Sequence, residues 1–338
     1  MRLSVLDQAP ICEGMAPPQA LLNSIDLAKL ADQLGFDRYW VAEHHGMPSV
    51  ASPAPEVLLA RIGAETKGIR IGSGGVMLPH YAPLKVVEQF AMLEAMYPGR
   101  IDLGLGRAPG GSQLEALALM RRREQGYQAD DFVQQFAELR AFMTKSFPSD
   151  HYFRRINISP ATPGNPEVWL LGSSMWSSQA AAQWGLPFAF AHFFGGNVTR
   201  EAFEHYRSAY KPSDTAPEPH SMMAIGVICA DTDEEAAYLT SSVQVLFSRL
   251  TRGNLSPIPS PETALAEIKS GLSPVAETPT EFPRFVHGTP DKVKAQLEEI
   301  AESLKVDEVI AITIVHDHKA RRRSYQKLAE VFGLTPRY

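Results

Sequence analysis

One rhythm governs what this chain can fold into: short apolar runs alternate with longer segments of helical period, eight times in succession. Leu3 to Leu6 precedes a helix from about Pro18 that stops at Gly35, and Tyr39 to Ala42 precedes a helix over Pro55 to Glu65. Ile69 to Gly72 leads into Leu84 to Met96 with Pro98-Gly99 as the stop, and Ile101 to Leu105 into a helix over Asp130 to Phe147. Val168 to Leu171, Phe188 to Ala191, Ala224 to Ile228 and Val309 to Ile312 continue the pattern, each ahead of a helix. Strand-sized runs separated by helices are the mark of βα units and a parallel sheet. Eight units in 338 residues are more than an open doubly wound sheet ordinarily uses. They fit a closed α/β architecture, a (β/α)8 TIM barrel with insertions, as a single domain over 1–338.

Two stretches break the rhythm, about 148–166 and about 251–284, the second rich in Pro, Ser and Thr. Loops of that length are commonly lids or binding loops. The second follows the seventh strand and helix, so it is read as a lid or mobile insertion across the barrel mouth.

A net charge of −6 gives no footprint for nucleic acid. The runs Arg121-Arg122-Arg123 and Arg321-Arg322-Arg323 are short and are read as solvated helix faces. No apolar stretch approaches the ~18 residues of a membrane span, and the first strand starts too early to leave room for a signal peptide. A cytoplasmic protein is expected. Cys12 and Cys229 are far apart in sequence and give neither a disulfide framework nor a zinc spacing, so they are read as packed thiols.

In a barrel the strand C-termini face the active site. Read in order, those ends are Glu43-His44-His45, Ser73-Gly74-Gly75, Gly106-Arg107, Gly172-Ser173-Ser174 and His192. Arg107 ends an apolar strand ahead of a loop too small to shield it. It can grip a phosphate with two charge-assisted hydrogen bonds, or pair across the rim with Glu43 or Asp102. Ser173, Ser174 and Ser177 surround the start of the fifth helix, where hydroxyls cap the helix or backbone N–H groups hold an anion. Gly74-Gly75 allows a planar ligand against bare backbone or an unusual peptide geometry, and a bulge that helps close the barrel reads as well. Adjacent residues on a strand point to opposite sides, so one imidazole of His44-His45 is expected to face the pocket for proton transfer, with the other behind it. A metal site would also need His192 and carboxylates to converge. Gly104-Leu105-Gly106 and Gly72-Ser73-Gly74 carry Pro109 and Met77 where a dinucleotide fingerprint needs its third glycine, and no Walker-type lysine follows. A phosphate site without a nicotinamide site results. Met47, Tyr81, Trp176 and Phe194 are pocket candidates that suit an apolar or aromatic substrate.

Taken together, these blocks resemble the bacterial luciferase-like flavin monooxygenase family. The likeness runs through Ala42-Glu43-His44-His45, Gly72 to Pro79, Tyr97 to Arg107, Leu170 to Ser174, and Gly288-Thr289-Pro290 with Asp307-Glu308-Val309. The resemblance implies a barrel binding FMN at the strand C-termini, usually as a homodimer. It places the phosphate-binding arginine on Arg107 and the phosphate turn on Ser173, Ser174 and Ser177. It places a non-proline cis peptide beneath the flavin ring on Gly74-Gly75 and the catalytic histidine on His44. Luciferase itself carries a reactive cysteine where this chain has Gly106, and a glutamate where it has Ser173; light emission and a long-chain aldehyde substrate are therefore not implied. The expected function is a two-component monooxygenase that receives reduced FMN from a separate flavin reductase and uses O2 to oxygenate a small organic substrate. A deazaflavin-dependent hydride-transfer enzyme and a non-catalytic flavin-binding protein are the alternatives.

Overall fold

The computed structural model describes residues 1–119, 131–273 and 280–338. Its strands are β1 (Arg2–Asp7), β2 (Arg38–Val41), β3 (Arg70–Met77), β4 (Ile101–Gly106), β5 (Glu167–Gly172), β6 (Phe188–Ala191), β7 (Ser221–Cys229), β8 (Phe285–Gly288) and β9 (Glu308–Ile312). The first seven pair in chain order and β9 joins β7 to β1, all in parallel. This closes the eight-stranded barrel that the rhythm predicts. Helices α1 (Pro17–Leu34), α2 (Pro55–Glu65), α3 (Pro83–Met96), α4 (Gln113–Leu119), α5 (Phe132–Thr144), α6 (Met175–Trp184), α7 (Thr199–Ala209), α8 (Asp233–Thr251), α9 (Pro261–Lys269), α10 (Pro290–Leu304) and α11 (His318–Val331) complete the described elements. Several open on a proline, whose fixed φ and missing N–H suit a first helical turn.

Strand β8 is an addition that the rhythm did not announce. β7 is long enough to fork: Met222–Gly226 pair with β9, while Gly226–Cys229 pair with β8. The branch point has to be glycine, because a Cβ on Gly226 would lie 1.9 Å from the Phe285 ring.

Packing divides into two layers. Leu3, Tyr39, Ile71, Leu103 and Phe188 face the helices, whereas Leu6, Trp40, Trp169, Met222 and Ile310 fill the barrel interior. Charge plugs the N-terminal end: buried Arg38 donates to Asp102 at 2.8 Å, Glu167 at 3.0 Å and Glu308 at 3.3 Å. Both cysteines are buried free thiols, pushed up to about 12 at Cys12 and about 11 at Cys229 by burial.

Two readings need correction. Arg321 is not on a solvated face. It is buried between α11 and β1, donating to Asp7 at 2.7 Å and to the Thr313 carbonyl at 3.0 Å, while its neighbours Arg322 and Arg323 reach outward to Asp26 and Asp231. A run of like charges on a helix still sends one residue in three to four inward. Arg121-Arg122-Arg123 lie outside the described residues. Nor is 251–284 without structure: it contains α9, which the buried Arg249 of α8 holds through Glu267. Residues 274–279 of that stretch are outside the described set. Among the described residues no helix is long and apolar enough to cross a membrane.

Candidate active site

At the C-terminal ends of the strands the barrel opens into a cavity of about 640 Å3. His44, Gly74, Gly75, Arg107, Ser173, Ser174 and Ser177 all line it. They arrive from the ends of four different strands, so closure of the barrel, and nothing local, brings them together.

The histidines do not divide as strand alternation requires. β2 ends at Val41, so His44 and His45 both lie beyond the strand and both line the cavity. Buried Glu43 holds His45, with 2.8 Å between Oε1 and Nε2, and also accepts the Tyr81 hydroxyl at 2.7 Å and the Met77 amide at 3.0 Å. Tyr81 is thereby tied into the wall and does not reach the cavity, whereas Met47, Trp176 and Phe194 do. Burial and Glu43 push the Tyr81 hydroxyl well above its usual range.

His44 donates its backbone N–H to the Ser52 carbonyl, and its ring Nδ1 is buried without a hydrogen-bond partner among the described residues. Burial lowers this imidazole from 6.5 to about 4, against the pull of Glu43, so it is neutral at physiological pH. The unfolded chain therefore takes up a proton between pH 6.5 and about 4 that the folded chain refuses. This contribution to stability is complete above the higher value and falls as pH drops, with a slope of at most about 1.4 kcal/mol per pH unit. His192 and His318 are also lowered by burial and add to the slope, so the comparison has to be with His44→Gln. Denaturant unfolding at pH 7 and pH 5 should show a smaller loss in that variant; an equal loss removes His44 from the account.

The Gly74-Gly75 peptide is cis, as the resemblance implies. The bulge reading also holds, since the β3–β4 register shifts between Ser73 and Val76. The two strands approach so closely there that a Cβ on Gly104 would sit 2.1 Å from the Ser73 carbonyl oxygen.

Arg107 is exposed at the rim, with its guanidinium carbon 4.1 Å from the centroid of the Trp176 ring. The two carboxylates that the sequence offered as its partners are bonded to other donors. Glu43 is taken up as above, and Asp102, near the N-terminal end of β4, serves Arg38, Arg70 and Trp40. Ser174 occupies the N-cap of α6, but its side chain makes no capping hydrogen bond, which corrects the capping expectation. Ser177 turns back to the Ser174 carbonyl at 2.7 Å and Ser178 to the Met175 carbonyl at 2.9 Å. The start of α6 thus faces the cavity without an acceptor from its cap side chain, beside a cation held on an indole face.

His192 is buried away from the cavity, bonded to Thr199 at 2.8 Å and to the Pro283 carbonyl at 3.1 Å. It does not converge with His44 or His45. Among the described residues no three His, Cys, Asp or Glu side chains are grouped to hold a metal. The sequence reading missed Leu6, Gln8, Trp40 and Leu255, which also line the cavity. The first three follow from closure of the barrel, and Leu255 comes from the 251–284 stretch.

The luciferase-like monooxygenase family matches residues 1–308. This chain belongs to that family. Membership makes it an oxidoreductase that incorporates oxygen. The luciferase-like monooxygenase of Escherichia coli (strain K12) is 40% identical over 333 residues, covering 97% of this chain and 96% of the relative. An N-acetyl-S-alkylcysteine monooxygenase of Bacillus subtilis (strain 168) is 35% identical over 332 residues, 98% of each chain. The crystal structure of apo-MsnO8 superposes with a TM-score of 0.93 at 44% identity, covering 99% of this chain and 98% of that one.

Proposed function

We propose that this luciferase-like monooxygenase is the oxygenase component of a two-component system. In this reading it takes reduced FMN from a separate reductase, works as a cytoplasmic homodimer, and uses O2 to oxygenate a small, largely apolar substrate. The observation that carries the reading is the gathering of an arginine, an open helix start, a bare Gly-Gly backbone and a buried histidine around one cavity.

The cavity residues fit the cofactor. Arg107 and the first N–H groups of α6 offer the charge and donors that a phosphate needs. Gly74 and Gly75 present backbone without side chains, next to the apolar walls of Leu6 and Trp40, where a planar ring can lie. Nδ1 of His44 lacks a partner among the described residues and remains for a ligand atom or proton. When bound, reduced FMN supplies the electrons that activate O2. The protein holds the phosphate, seats the ring, keeps a neutral imidazole beside it and excludes water with apolar walls.

The relative that acts on N-acetyl-S-alkylcysteines makes such a thioether the first substrate to test. Anaerobic titration should show saturable binding of reduced FMN and weaker binding of a reduced deazaflavin. Admission of O2 with the thioether should then give a product heavier by one oxygen atom. Preferential binding of the deazaflavin would overturn the cofactor assignment.

The 251–284 stretch is proposed as a lid. Leu255 lines the cavity, and Arg249 clasps its base through Glu267, Glu13 at 3.2 Å and Ser256 at 2.9 Å. Arg249→Ala is expected to speed protease nicking within 251–284 several-fold, and saturating FMN to slow nicking of the wild type. Equal nicking with and without FMN removes the lid.

A further inference from the structure

The proposed function uses His44, Arg107 and the serine turn but leaves Glu43 without a task. Its carboxylate is 1% exposed. Among the described residues, the group paired with it that can carry positive charge is His45, not an arginine or lysine. A carboxylate buried on those terms is costly unless its hydrogen bonds are complete, and Glu43 completes them with three donors from three places. His45 Nε2 lies 2.8 Å from Oε1, Tyr81 donates to the same oxygen at 2.7 Å, and the Met77 amide donates to Oε2 at 3.0 Å. Met77 is two residues past Gly75 on β3, and the backbone of His45 is tied to the Gly110 carbonyl at 2.9 Å, just past Arg107. Both oxygens accept here, so an amide in their place must either oppose its NH2 to the Met77 amide or turn it toward Tyr81 and His45, which then have to accept, His45 through its other tautomer.

Resting on the FMN reading above, we infer that Glu43 is a positioning residue for His45. By accepting a hydrogen bond from Nε2–H it fixes the tautomer and leaves Nδ1 as the ring nitrogen that faces the cavity without a proton. By taking the Met77 amide it fixes that ring relative to Gly74-Gly75. The two adjacent histidines then differ in kind: Nδ1 of His44 is buried with no partner among the described residues, whereas the His45 ring is held by a carboxylate. Among the described residues, the ionisable groups around the pair are His44, His80, Tyr81, Glu56 and Glu115.

The decisive measurement is long-range 1H–15N correlation of the histidine rings in the flavin-free protein at pH 7.5, with His45 assigned by the signal lost in His45→Gln. Wild-type His45 is expected in the Nε2–H form, and Tyr81→Phe is expected to keep it there. Glu43→Gln is expected to give a mixture of tautomers. In Glu43→Gln, oxygenated product from reduced FMN and an N-acetyl-S-alkylcysteine should form about tenfold more slowly or worse, with the FMN dissociation constant within about threefold of wild type. An Nδ1–H wild type overturns the inference even if the variant does not fold. So does a Glu43→Gln protein with wild-type tautomer and turnover, or one whose flavin affinity collapses in step with turnover. Absence of oxygenation in the wild type would instead remove the proposed function, and the ring signals would still decide the role of Glu43.

Discussion

Replacing Arg107 with alanine is expected to raise the dissociation constant for FMN by roughly 10- to 100-fold, the equivalent of about 1.5–3 kcal/mol for hydrogen bonds to a charged group. Arg107 lies against the Trp176 ring at the cavity rim, facing the start of α6. Stacking on the indole limits the rotamers of a long side chain, so less entropy is lost when a phosphate arrives. Lysine at this position should recover only part of the affinity, because an ammonium neither forks onto two phosphate oxygens nor stacks as a plane. Raising the salt concentration should weaken wild-type binding more than binding by Arg107→Ala, since the group is exposed. Riboflavin, which lacks the phosphate, should bind wild type and variant alike. A fluorescence titration of all three proteins with both ligands settles the matter: equal FMN affinity in wild type and Arg107→Ala would sink the phosphate assignment.

The barrel was legible because its information is local. Each strand reads as a short apolar run, each helix as a period, and proline and glycine mark the joints. The strand ends were legible for the same reason, and they delivered the cavity residues His44, Gly74, Gly75, Arg107, Ser173, Ser174 and Ser177. What depends on tertiary direction was not. His192 closes a strand as neatly as Arg107 does, yet its ring turns away to Thr199. His44 and His45 escape strand alternation because β2 stops two residues before Glu43. Arg321 sits in a basic run like a surface residue, and only the buried carboxylate of Asp7 across the helix layer shows otherwise. Strand β8 was invisible as a strand because Phe285–Gly288 alternates over four residues and leans on the surplus length of β7.

The largest effect on stability is expected at the opposite end of the barrel. Asp102 is fully buried and accepts from Arg38 at 2.8 Å, the Arg70 Nε at 2.9 Å and the Trp40 indole at 2.9 Å. Asp102→Ala leaves the Arg38 guanidinium buried with one partner fewer and the Trp40 N–H with none from this carboxylate. Removing one member of a buried pair costs about 3–5 kcal/mol, a large part of the roughly 5–15 kcal/mol that holds a folded protein together. For a chain of this size the melting temperature should fall by about 4–7 °C. Trp40 also lines the cavity, so the N-terminal charge network reaches the proposed flavin site through one indole. Well below the lowered melting point, FMN affinity should nevertheless stay within about threefold, because Asp102 lies at the far end of the barrel from the arginine and the helix start proposed to hold the phosphate. A variant that melts like wild type but loses FMN would reverse these roles and make Asp102 a determinant of the cavity, acting through Trp40, in place of a structural anchor.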